Sequence, residues 1–79
     1  MKISYDPKYN IAYILFRDKR SKVKTLPISD EVNIDISPDG KIYGIELLNA
    51  DKQLKVTKNN RFAITDETTG KTIQMPLAV

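Results

Sequence analysis

The alternation of apolar and polar side chains divides this chain into short extended segments. Val32, Ile34 and Ile36 fall on one face and Asn33 and Asp35 on the other, the period-2 pattern of a strand buried on one side. Ser37-Pro38-Asp39-Gly40 follows, and then residues 41–48, apolar on both faces: Tyr43, Ile45 and Leu47 on one, Ile42 and Leu48 on the other. Proline at the second turn position and glycine at the αL position predict a type I turn with a G1 bulge. Residues 32–48 therefore read as a hairpin whose second strand is central in its sheet.

The same pattern continues on both sides. Lys2-Ile3-Ser4-Tyr5 alternates and predicts a first strand, and Asp6-Pro7-Lys8-Tyr9-Asn10 is a turn in which Asn10 tolerates αL. Residues 11–16 are continuously apolar and predict a strand covered on both faces. Residues 18–21 are expected to close a hairpin into residues 22–28. Lysines alternate there with Val23 and Thr25, and Pro27 cannot donate to a ladder; both features suit an edge strand. Residues 49–54 predict one helical turn at most, with Asn49 as N-cap. Residues 61–65 and 71–75, joined by 66–70, predict a terminal hairpin.

The sum is a mainly β protein. It is an antiparallel β-meander of about seven short strands curling into a small sandwich or half-barrel, with α+β as the alternative. Residues 1–79 form one domain, with a core over 2–54 and a C-terminal hairpin over 61–79.

Length and composition then narrow what holds this fold together. A chain of 79 residues buries only about 60–65% of its unfolded surface, so its core needs a supplement such as disulfides, a metal or a partner chain. Cysteine and histidine are both absent. That removes disulfides, thiolates and imidazole ligands, and leaves a metal only oxygen to bind. A homodimer is the supplement that remains. The N-terminus has no apolar h-region, and no apolar run approaches the roughly 20 residues that span a bilayer. With the absence of cysteine, this predicts a cytoplasmic protein with no membrane partner.

Thirteen lysines and arginines against 10 aspartates and glutamates give a net charge of +3, a mild excess. The basic cluster within residues 17–24 contains Lys19, Arg20, Lys22 and Lys24 and reads as a loop. These four are the contacts to expect if the domain bound nucleic acid. That reading is the alternative rather than the first choice, because nucleic-acid footprints usually line one element.

Candidate chemistry is sparse. Without histidine or cysteine, a catalytic site would need carboxylates, lysines, tyrosines or hydroxyls. Asp35 and Asp39 bracket the turn and Glu46 lies across it, but a two-strand hairpin makes no cleft. Asp39 is read as building the turn, and Asp35 and Glu46 as solvated strand positions. No enzymatic activity and no cofactor are expected. Residues 35–46 do match the calcium-loop pattern at Asp35, Ser37, Asp39, Gly40 and Glu46. Pro38 in the fourth position, the apolar run in the eighth to eleventh and the flanking strands return the segment to a hairpin, with no metal. Tyr13 and Phe16 lie within apolar runs and read as packing residues; Tyr9, in a turn beside Lys8, is the exception.

Tyr5-Asp6-Pro7, then Asn10, Ala12, Tyr13 and Ile14, then Asp39-Gly40, then Gly44-Ile45-Glu46-Leu47-Leu48-Asn49-Ala50 resembles an uncharacterised family of short prokaryotic domains. Its members open with Tyr-Asp-Pro and carry a Gly-Ile-Glu-Ile-Leu strand. The resemblance implies no catalytic residue and no cofactor. For some members it implies an antitoxin-like role beside a small protein partner. Two features depart from it: Leu15 stands where the family often has a polar residue, and residues 61–79 read as a hairpin where many members continue into a helix or stop.

The departures meet on one surface. If Ala12, Ile14 and Phe16 face the main core, then Ile11, Tyr13 and Leu15, with Leu48, form a second apolar face. Covering it is worth several kcal/mol at about 25 cal/mol per Å². The terminal hairpin, a second subunit or both are expected to supply the cover. The function this predicts is a non-catalytic protein-interaction module that is homodimeric, and the resemblance implies that it is antitoxin-like.

Overall fold

The computed structural model describes residues 1–17, 22–54 and 61–76, and of Phe62 the backbone alone. In chain order the elements are β1 (Lys2–Asp6), β2 (Ile11–Leu15), β3 (Lys24–Ser29), β4 (Val32–Ile36), β5 (Ile42–Leu48), α1 (Ala50–Leu54), β6 (Arg61–Thr65) and β7 (Thr72–Pro76). The first five strands make one sheet in the order β1-β2-β5-β4-β3, and β6 pairs with β7. Every pairing is antiparallel. The mainly β, antiparallel architecture is the expected one. The sheet ends at β1 and β3 and does not close into a barrel.

One connection differs from expectation. β2 does not form a hairpin with β3; it lies between β1 and β5, and β3 is at the opposite edge. The physical reason is in the side chains. β2 and β5 carry apolar residues on both faces, so each is best placed with a ladder on either side. β3 carries Lys24 and Pro27 and is exposed along its whole length, which suits an edge. Residues 18–21, the expected hairpin turn, lie outside the described residues.

The β4–β5 turn has the expected form. The Gly40 N–H donates to the Ser37 carbonyl at 2.9 Å, the Ser37 N–H donates to the Lys41 carbonyl at 2.8 Å, and Gly40 has φ 84°. That is a type I turn completed by a glycine in αL. Further along, Asp35 opposes Gly44 while Ile36 opposes Ile42, so Tyr43 is an extra residue in β5. Such a bulge bends its strand and increases the local twist.

The register sorts the sheet into two unlike faces, because directly opposed residues share a side. On one face Ile3, Ile14, Ile45, Ile34 and Leu26 run in a row across all five strands. Tyr5, Ala12, Leu47 and Val32 form the neighbouring row. On the other face the rows are Lys2-Leu15-Gly44-Asp35-Thr25 and Ser4-Tyr13-Glu46-Asn33-Pro27. The first face is apolar and the second is largely polar. Among the described residues no large side chain is fully buried, and the buried hydrophobic positions are Ala12 and Ala50.

The helix begins where expected but is capped differently. Asn49 has φ 53°, and its Oδ1 accepts from Asn10 Nδ2 at 3.2 Å instead of capping the helix. The cap comes from the β1–β2 turn: the Ala50 N–H donates to the Asn10 carbonyl and the Asp51 N–H to Asn10 Oδ1, both at 3.0 Å. Tyr5 Oη also donates to Asn10 Oδ1, at 3.1 Å, and Asn10 Nδ2 donates to Asp51 Oδ1 at 2.7 Å. The two donors and two acceptor sites of this amide are thereby all engaged. Its backbone sits at φ 56°, a conformation that Asn tolerates better than most residues.

Candidate functional site

The polar face is organised around Tyr13. Its direct partner on β5 is Glu46, but its hydroxyl reaches diagonally past Gly44 to β4 and donates to Asp35 Oδ2 at 2.6 Å. The path is open because Gly44 has no side chain: a Cβ there would run into the Tyr13 Oη, Cζ and Cε2 atoms. Asp35 Oδ1 accepts from Thr25 Oγ1 on β3, also at 2.6 Å, so one carboxylate ties together β2, β4 and β3. Beside it, Asn33 Nδ2 donates to Glu46 Oε1 at 2.9 Å. Burial, reinforced by the hydrogen bond to Asp35, holds the Tyr13 phenol well above its ordinary 10.0.

This arrangement changes the reading of two residues. Asp35 and Glu46 are half-buried and hydrogen-bonded across strands rather than merely solvated. It also separates the acidic side chains of the calcium-loop pattern. Asp35 faces Tyr13 and Thr25, Glu46 faces Asn33, and Asp39 receives the Lys41 N–H at 3.2 Å and Arg17 Nη1 at 3.0 Å. These contacts hold the Asp39 carboxyl below the usual carboxylate range, the Lys41 N–H being the largest cause and Arg17 the next. Among the described residues no group of three or more acidic side chains is placed to hold a metal ion.

Of the four residues expected to form a second apolar face, Ile11 and Leu48 are direct partners across β2 and β5. Leu15 opposes Gly44, at the other end of the same strand. Tyr13 lies between them with its hydroxyl on Asp35, so this face is apolar at its ends and polar in the middle. The larger apolar surface is on the opposite side, in the row from Ile3 to Leu26. The apolar pattern of the sequence alone assigns that side to the covered core. The signal that distinguishes the faces is Gly44: a glycine inside an apolar strand marks close approach by a neighbour, here the ring of Tyr13.

Of the basic cluster, Lys22 and Lys24 are exposed, and Lys19 and Arg20 lie outside the described residues. Tyr9 is 65% exposed, with Lys8 Nζ 5.2 Å from its ring centroid. The register puts Lys24 opposite Ile36 at one end of the sheet, whereas Tyr9 follows Asp6 at the other end and the far edge. The aromatic residue and the described lysines of the cluster are thus not brought together. No helix among the described residues is long and apolar enough to cross a membrane.

These features define a small, mainly β domain built on one open antiparallel sheet, apolar on one side and hydrogen-bonded across strands on the other. The chain belongs to the family described as "Protein of unknown function (DUF2283)", whose model matches residues 2–50. The match covers all five strands of the sheet and ends at the first residue of α1, leaving the β6–β7 hairpin beyond it. No curated protein and no solved structure matches the chain.

Proposed function

We propose that this domain is a non-catalytic protein-interaction module that works as a homodimer, with the apolar sheet face as the surface a second copy covers. The observation that supports this reading is the Ile3-Ile14-Ile45-Ile34-Leu26 row, which crosses the whole sheet without one fully buried side chain. The row is half-buried at Ile3, Ile14, Ile45 and Ile34 and exposed at Leu26, and the neighbouring Phe16 and Ile42 are exposed as well; an apolar strip left this open marks an interaction site. The opposite face has its central polar groups hydrogen-bonded within the chain, so contact with water there carries little cost. The family resemblance adds a small neighbouring protein, in the manner of an antitoxin and its toxin, as the partner the dimer acts on.

Sedimentation equilibrium tests the reading. The wild-type chain is expected at about twice its 9.0 kDa mass. Leu26→Asp, on the edge strand where Leu26 is already 38% exposed, is expected to shift it to monomer with its circular dichroism unchanged. A wild-type chain that stays monomeric at every soluble concentration overturns the proposal. A salt-dependent shift with generic DNA or RNA, absent from a Lys22→Ala/Lys24→Ala variant, would favour nucleic-acid binding instead.

A further inference from the structure

The chain carries a second apolar face besides that of the sheet. In the β6–β7 hairpin Ile64 and Ile73 are direct partners, and Met75 follows two residues along the same face. The three are 52%, 65% and 45% exposed. The reverse side is more polar, with Thr65 and Thr72 paired hydroxyl to hydroxyl at 2.8 Å, Gln74 opposite Ala63 beyond them and Arg61 opposite Pro76 at the end. The hairpin is therefore amphipathic, and a two-stranded hairpin left alone in water is marginally stable. It needs an apolar surface to lie on.

We propose that this hairpin is an exchange arm, packed by Ile64, Ile73 and Met75 across the apolar sheet face of a second copy while that copy's hairpin covers this one. The inference rests on the homodimer reading and names the part of the second copy that does the covering. Two observations carry it. Within one chain Ile64, Ile73 and Met75 stay exposed and the sheet's apolar row stays only half-buried, with Leu26 exposed at its edge, so the complementary surface is provided by another chain. The area also suits a dimer. The chain exposes 6276 Å², against about 4,900 Å² for a compact monomer of 9.0 kDa, an excess of about 1,400 Å². A stable interface removes about 800 Å² or more from each partner. Reciprocal arms make this a closed two-fold exchange rather than an open chain of copies.

Sedimentation of Ile73→Asp, at a position already on the surface, is the first test. The dimer dissociation constant is expected to rise about tenfold or more while the sheet amides keep their hydrogen-exchange protection. A wild-type dimer matched by an equally tight Ile73→Asp dimer overturns the arm and leaves the homodimer standing; a monomeric wild type overturns both. Since the chain has no cysteine, a mixture of Ile73→Cys and Ile34→Cys copies gives the second test. Disulfide-linked heterodimers are expected on oxidation. A single chain bearing both cysteines that instead closes on itself, with no heterodimer in the mixture, assigns the hairpin to its own sheet and overturns the exchange.

Discussion

Tyr13 lies across Gly44: the ring of one occupies the space a side chain on the other would fill, and by doing so its hydroxyl reaches Asp35. This places a glycine in the middle strand of the sheet for packing, not for backbone freedom. Gly44→Ala is expected to displace the ring and cost about 1–3 kcal/mol. In Tyr13→Ala the same glycine substitution is expected to cost far less. Urea unfolding of the two single variants and the double variant gives the coupling directly. Additive losses would show that the ring does not depend on the bare backbone.

Tyr13→Phe isolates the hydroxyl. Removing one of the two hydroxyl donors to a half-buried carboxylate is expected to cost about 1.5 kcal/mol near neutral pH. The pH dependence has a definite sign. The folded-state phenol titrates above its unfolded value, so the folded chain holds the proton more tightly. Its contribution is complete below the ordinary 10.0 and is lost as pH rises from there towards the folded value. Wild type should lose stability above pH 10.0 more steeply than Tyr13→Phe, and the highest-pH step of tyrosinate absorbance should disappear in the variant.

Asp39 predicts the opposite limb. Its folded-state value is lowered, so its contribution is present above the ordinary 3.8 and fades as pH falls below it. Asp39→Asn is expected to flatten the acid limb of the stability curve, and Arg17→Gln to flatten part of it. An acid limb identical in all three chains would mean that the contacts to Lys41 and Arg17 do not hold the charge.

Asn10 joins the β1–β2 turn to the start of α1, and two substitutions separate its roles. Asn10→Gly keeps the left-handed backbone accessible and removes the amide with its hydrogen bonds, at an expected cost of about 1 kcal/mol. Asn10→Ala removes the amide and also strains φ 56°, adding about 1 kcal/mol. Hydrogen exchange should show the loss first at the Asp51 amide. If the two variants are equally stable, the strained backbone is not part of the effect.

Much of the local structure was legible because it depends on local chemistry. The Ser37-Pro38-Asp39-Gly40 turn, the central position of the Gly44-bearing strand, the edge position of the strand with Pro27 and the terminal hairpin all follow from propensity and period. The pairing of β2 with β5 was not legible, since no local signal states which of several apolar strands will meet. Nor was the role of Asn10 as a cap for a helix that begins 40 residues later; Asn49, adjacent to that helix, carries the stronger local signal. The Tyr13–Asp35 contact was hidden for the same reason. Its two residues are 22 apart in sequence and meet only after three strands are in register.

The strand order also sets a timetable for folding. β3, β4 and β5 are consecutive neighbours and zip together from short turns, as do β1 and β2. The seam between these two units joins Ile11 to Leu48 and Leu15 to Gly44. Closing it loops out the whole β3–β4 segment, an entropic cost met before the seam returns any contact. The meeting of β2 with β5 is therefore the step expected to be slow. Substitutions at Ile14 or Ile45 should slow refolding, whereas substitutions in the Pro38-Gly40 turn should act on the earlier unit.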